Sequence, residues 1–190
     1  MPAPSADVEA VTRLLGRGPR ADFDVVLRNG HGEPMVIRNA PLLQDGVPMP
    51  TRYWLVDPGL VRAIGRLEAA GGVRAAEREV PRDALERAHA AYARERDAAL
   101  PTDHLGPRPS GGVGGTREGV KCLHAHYAWL LAGGEDPVGR WVEARLAAPD
   151  GSSSGTGGSA PRRRDGSRHA AHPCPERAGA EGAKSGTDAS

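Results

Sequence analysis

Apolar positions along the first 148 residues change period as the chain proceeds, and each change marks an expected element. In "SADVEAVTRLLGRGP", Val8, Val11, Leu14 and Leu15 fall at helical spacing behind Ser5 as N-cap, with Gly16, Gly18 and Pro19 as the stop. The segments "FDVVLR" and "PMVIRNA" follow, separated by Asn29-Gly30-His31-Gly32-Glu33, a spacing that suits a hairpin with a glycine-bearing loop. A turn at "QDGVPMP" leads into "TRYWLV", where Tyr53 and Trp54 favour a third strand. The economical arrangement is a small antiparallel meander.

Beyond the strands the apolar period becomes that of a helix. Asp57 and Pro58 form an N-cap and first-position pair for "PGLVRAIGRLEAAGG", in which Leu60, Val61, Ile64 and Leu67 make one stripe and Gly71-Gly72 end it. "PRDALERAHAAYARERDAAL" starts at Pro81, with Leu85, Ala88, His89 and Tyr92 inward and Arg87, Arg94 and Glu95 outward. The stretch "TDHLGPRPSGGVGGT" has no periodic pattern, and a loop of that length inside a domain points to function or disorder. Helices over about 117–132 and about 136–147 complete the domain. The expected fold is α+β: a mostly helical single domain with a small antiparallel β-meander and a disordered C-terminal tail. Residues 1–19 form the N-terminal helix and lead-in, 20–148 the α+β domain, and 149–190 the tail.

The tail follows from composition. From Pro149 to Ser190 there is no Val, Ile, Leu, Met, Phe, Trp or Tyr, so burial there cannot offset the entropy of ordering the backbone. The first 148 residues carry 19 side chains of each charge. No strong nucleic-acid signal and no field drawing the domain to an anionic membrane follow from that balance. "MPAPSADVEAV" lacks the pattern of a secretory signal, and no stretch reaches the ~20 apolar residues of a membrane span, so a cytoplasmic location is expected.

Candidate chemistry concentrates in "GGVGGTREGVKCLHAHYAWLL", residues 111–131. On a continuous helix Val120, Leu123, Tyr127, Leu130 and Leu131 define the buried face. Cys122 and His126 then lie about 40° apart on one flank, and His124 about 160° from His126. Cys-x-His-x-His therefore does not converge on one ion if helical, although it would on a strand. Cys122 and His126 alone could share a metal, completed by His89, His104 or His31. Neither a three-ligand metal site nor another cofactor is expected. Glycines before a helix expose amides at its positive end, which suits phosphate or carboxylate. Gly112, Gly114 and Gly115 would supply donors, Thr116 the N-cap, and Arg117 and Lys121 charge, with His124, His89 and Tyr92 as lining. The order is not that of a P-loop or a dinucleotide fingerprint. Cys122, activated by Lys121 and His126, is the candidate nucleophile of a thiol enzyme.

The strings "PTRYWLVDPGLVRAIGRLEAAGG", "AHAAYARERDAA" and "GGVGGTREGVKCLHAHYA" together resemble an actinobacterial family labelled domain of unknown function 501 (DUF501), over about residues 20–146, with "VKCLH" the most specific part. The resemblance implies no established activity. It implies a cysteine pair before the first proline-rich turn, where this chain has "RNGHGEP" with only His31 and Glu33 as substitutes. It also suggests a genomic neighbourhood of a septum-formation initiator and an exopolyphosphatase. The expected function is binding of a small anionic ligand at the glycine loop. One alternative is a non-catalytic scaffold for a division or envelope partner, and another a metal-supported or thiol enzyme.

Overall fold

The computed structural model of the chain describes residues 3–148. These lie within one compact unit, Met1–Ala160. The expected disordered tail from residue 149 falls outside the described residues.

The first helix, α1 (Ser5–Leu15), ends where Gly16 turns left-handed at φ 70°. Its start differs from expectation: Ser5 is already helical, Pro4 precedes it, and no side chain caps it. The strands β1 (Phe23–Arg28), β2 (Pro34–Asn39) and β3 (Tyr53–Leu55) form an antiparallel sheet in the order β1-β2-β3. In the hairpin loop the Asn29 Oδ1 accepts from the amides of His31 (2.9 Å) and Glu33 (3.0 Å), and Gly32 takes φ 80°. This is the side-chain turn for which asparagine is suited.

Period-2 alternation in β2 splits the core between two faces of the sheet. Ile37 packs with Val11 of α1, Phe23 and Val56. Val36 and Leu55 join the larger core built by the later helices. Of these, α2 (Pro58–Ala69) begins as expected, Asp57 accepting from the Leu60 amide at 2.9 Å. Gly71, at φ 88°, ends it.

A helix not foreseen follows immediately, α3 (Gly72–Glu79), with Ala76 buried. A Cβ on Gly72 would lie 2.6 Å from the Leu67 carbonyl oxygen, so glycine is what lets α3 fold back so closely on α2. The long α4 (Arg82–Ala98) buries Leu85, Ala88, Tyr92 and Arg96. Helix α5 (Leu123–Leu131) is buried nearly all round, at Leu123, Ala125, His126, Tyr127, Ala128 and Trp129, which makes it the central helix of the domain. Helix α6 (Pro137–Ala147) starts from Asp136, which accepts from the Gly139 amide at 2.8 Å. No helix among the described residues is long and apolar enough to cross a membrane.

Candidate metal centre

The glycine-rich run does not lead directly into a helix. Gly111, Gly114, Gly115 and Gly119 all take positive φ, at 76°, 67°, 75° and 66°. Left-handed residues at that density break a right-handed helix. Thr116 is extended (φ −78°, ψ 150°), so the expected N-cap is corrected: α5 starts at Leu123. The amides of Gly112, Val113 and Gly115 have partners within the protein. Gly112 donates to the Thr116 carbonyl (2.7 Å), Gly115 to Gly112 (2.9 Å) and Val113 to His89 Nδ1 (3.1 Å). The Val120 amide donates to Glu77 Oε1 at 2.8 Å, and Lys121 Nζ to the Gly114 carbonyl at 3.2 Å.

The late start of α5 also rearranges its polar side chains. Cys122 is the residue before the helix and is extended (φ −161°, ψ 127°). Its Sγ therefore sits 3.6 Å from Nδ1 of His124, on the first turn. Glu68, near the end of α2, completes a cluster: its Oε1 accepts from the Leu123 amide at 2.6 Å and lies 3.2 Å from His124 Nδ1. One ligand atom from each of Glu68, Cys122 and His124 falls within 4.8 Å of the other two.

On the far side of the ring, His124 Nε2 lies 3.1 Å from the Val61 carbonyl oxygen. A carbonyl only accepts, so Nε2 carries a proton and Nδ1 of the neutral ring presents a lone pair to a carboxylate and a sulfur. The Cys122 thiol proton, a second proton on Nδ1 or a cation between these atoms can reconcile them. Burial pushes Glu68 up, but hydrogen bonding and charge from His124, then the Leu123 amide and the Cys122 thiol, outweigh it. Its carboxyl is held below the ordinary value.

The sequence paired Cys122 with His126, and the structure does not. His126 Nδ1 donates to Asp136 Oδ2 at 2.7 Å, and both residues are 0% exposed. His126 Nε2 is the one buried side-chain polar atom without a hydrogen bond among the described residues. His89 stands beside it, ring centroids 5.7 Å apart. Because His89 Nδ1 accepts from Val113, its Nε2 donates to the Gly119 carbonyl at 3.0 Å.

Tyr92 does not line the cleft that His89 lines. Its hydroxyl accepts from the Arg52 amide (2.6 Å) and donates to the Pro50 carbonyl (3.2 Å), and its ring stacks edge-on against Trp129. His89 and Arg117 instead line a cleft of about 480 Å³ with Glu77, Arg82, Glu86 and Glu118. There the carboxylates outnumber the guanidinium groups, a balance that does not select anions.

Glu68 and the Val61 carbonyl escaped sequence reasoning. Their positions at i and i+7 put both on one stripe of α2, but nothing local says that this stripe meets Cys122 and His124. The whole defines a small α+β domain with a Cys-His-Glu cluster where its central helix begins. The chain belongs to the family described as Protein of unknown function (DUF501), whose model matches residues 25–144. No curated protein and no solved structure matches it, so the functional argument rests on the site itself.

Proposed function

We propose that the chain binds a divalent transition-metal ion of the zinc class through Cys122 Sγ, His124 Nδ1 and a Glu68 carboxylate oxygen, with a coordination position left for an exogenous ligand. The spacing from His124 Nδ1 to the other two ligand atoms carries the reading. Zinc at about 2.3 Å from sulfur and about 2.0–2.1 Å from nitrogen and oxygen implies tetrahedral edges of about 3.6 Å for S···N and about 3.3 Å for N···O. The corresponding separations here are 3.6 and 3.2 Å. The Nε2–H donated to Val61 is the outer contact that orients a ligating imidazole.

Three protein ligands with one open position is the arrangement of catalytic zinc, which polarises a bound oxygen or acidifies a bound water. A thiolate–imidazolium pair of Cys122 and His124 uses the same 3.6 Å contact, but leaves the Glu68 carboxylate crowding the nucleophile's side of the ring. An anion at the glycine loop draws no support from the Gly112 and Gly115 amides, which are already engaged inside the protein. Partner scaffolding would rest on Val8, Val47 and Leu105, the exposed large apolar residues among the described ones, which come from three separate segments.

Protein purified without a histidine tag is the material for the test. Near-stoichiometric zinc is expected, and cobalt substitution is expected to give a near-ultraviolet thiolate-to-metal band. That band should vanish in Cys122→Ser and persist in Cys174→Ser. His124→Ala and Glu68→Gln should each weaken binding at least tenfold, the scale on which even outer-shell changes act. Sub-stoichiometric zinc together with no thiolate band rejects the site.

A further inference from the structure

Resting on that metal reading, we propose that the position left by Glu68, Cys122 and His124 takes the oxyanion group of a small molecule, phosphoryl or carboxylate, flanked by Arg62 and Arg66 of α2. The argument starts from helix geometry. At 100° per residue, Val61, Gly65 and Glu68 fall within about 60° of one another and form a single stripe. Both ends of that stripe meet His124, through the Val61 carbonyl and the Glu68 carboxylate. Gly65 lies between them. Apart from its chain neighbours and the backbone of its own helix, no atom of the described residues comes within 4 Å of the place its Cβ would occupy.

A glycine inside a helix is destabilising, and here its lack of a side chain leaves open space beside the cluster. The buried side of α2 is marked by Ile64. Moving round the helix away from Ile64, the row after Gly65 is Arg62 and Arg66, which stand four apart and so share a side. Both are exposed, and neither side chain makes an ion pair or hydrogen bond among the described residues.

Charge then selects the ligand. A thiolate and a carboxylate neutralise a divalent ion, and the neutral imidazole adds nothing. The charge at the open side therefore comes from the two guanidinium groups, whose planar donor forks match the oxygens of phosphate and carboxylate. An oxyanion entering over Gly65 would place one oxygen on the metal and the others toward Arg62 and Arg66.

The test uses the full chain loaded with cobalt, titrated separately with inorganic phosphate and with acetate. The visible bands report coordination of the anion and the thiolate band reports retention of the metal. A saturable change in the visible bands is expected, with at least tenfold weaker anion affinity in Arg62→Ala/Arg66→Ala at unchanged cobalt affinity. Gly65→Leu should keep the thiolate band and lose the anion response. Response to phosphate alone assigns a phosphoryl group, and an equal response to acetate a carboxylate. An intact thiolate band with visible bands indifferent to both anions overturns this inference while leaving the metal site standing. So does an anion response that the double arginine variant retains in full. Absence of the thiolate band instead removes the metal reading on which the inference stands.

Discussion

Cys122 Sγ and His124 Nδ1 are 3.6 Å apart because the helix begins between them: Cys122 is still extended, and Leu123 is the first residue of α5. On an uninterrupted helix the same two side chains would project in widely different directions. A metal at this contact must displace the thiol proton and, where present, a proton on Nδ1, whereas Glu68 is already held in its ionised form. Metal affinity should therefore fall on acidification through the neutral range, as protons compete with the ion for the sulfur and the imidazole. Competition against a chromophoric chelator across this range measures the slope. A flat profile would mean that the cysteine is not a ligand.

Two helical glycines should respond in opposite directions to alanine. At Gly65 the space is open, so Gly65→Ala should raise stability by about 0.5–1 kcal/mol through helix propensity alone. At Gly139 a Cβ would lie 2.6 Å from Leu130 Cβ and 2.9 Å from the His126 carbonyl oxygen, where α6 crosses α5. Gly139→Ala should cost about 1–3 kcal/mol by overpacking. Urea unfolding of both variants decides it, and equal shifts would contradict the packing.

Asp136 joins the same two helices through two functions of one carboxylate. Oδ1 caps Gly139 and Oδ2 accepts from His126, with the side chain fully buried. Asp136→Ala removes the cap and strips the imidazole of its one hydrogen bond among the described residues, so a loss of about 3–5 kcal/mol is expected. Asp136→Asn retains an oxygen for the cap and should lose less. If the two substitutions prove equally mild, the pair contributes little to the fold.

Legibility in the sequence followed how local each signal is. The three strands, the Asp57-Pro58 start of α2 and the Pro81 start of α4 are written in neighbouring residues, and each lies where expected. Helix α3 carries a short stripe at Val73 and Ala76 that runs on to Val80, but it lies directly behind the Gly71-Gly72 stop, and only its fold-back onto Leu67 and Leu123 explains Gly72. The helix expected from about residue 117 begins only at Leu123, because Gly119 turns left-handed where the apolar period runs straight through. Glu95, expected to face outward, accepts from the Tyr53 hydroxyl and from Trp129 Nε1, residues that no helical period on α4 could bring to it. Cys122 and His124 were considered together only on a strand, yet one extended residue suffices. Glu68 depends on α2 meeting α5, which is information no single segment contains.

Stability should depend on pH through His89. Burial holds its imidazole below the ordinary value of 6.5, outweighing the Gly119 carbonyl that favours the charged form; His126 lowers it further and Asp136 opposes. The unfolded chain therefore binds the proton at a higher pH than the folded one. The stabilising contribution is complete above about pH 6.5 and is lost as pH falls through the depressed folded value. Urea midpoints should drop on acidification below pH 6.5, and His89→Gln should flatten that part of the profile. A wild-type slope undiminished in the variant would assign the titration to another group.

Arg96 is the buried charge that holds the glycine loop in place. The side chain is 2% exposed, its Nη1 donates to the carbonyls of Ser110 (3.2 Å) and Gly111 (2.6 Å), and its Nε and Nη2 meet Asp97 at 2.9 and 2.8 Å. One planar guanidinium thus ties the end of α4 to the segment where the chain turns back toward α5. Lysine has three donors on a single nitrogen and cannot span two carbonyls and a carboxylate lying in different directions. Arg96→Lys should therefore cost about 1.5–3 kcal/mol, the scale of hydrogen bonds to a charged group, although charge is conserved. The loss should be local before it is global: amide exchange at Gly112 and Val113, whose hydrogens go to Thr116 and His89, should accelerate well before that of α5. If Arg96→Lys leaves those two amides as protected as in the wild type, the loop is held by its own turns and the guanidinium is only a buried spectator.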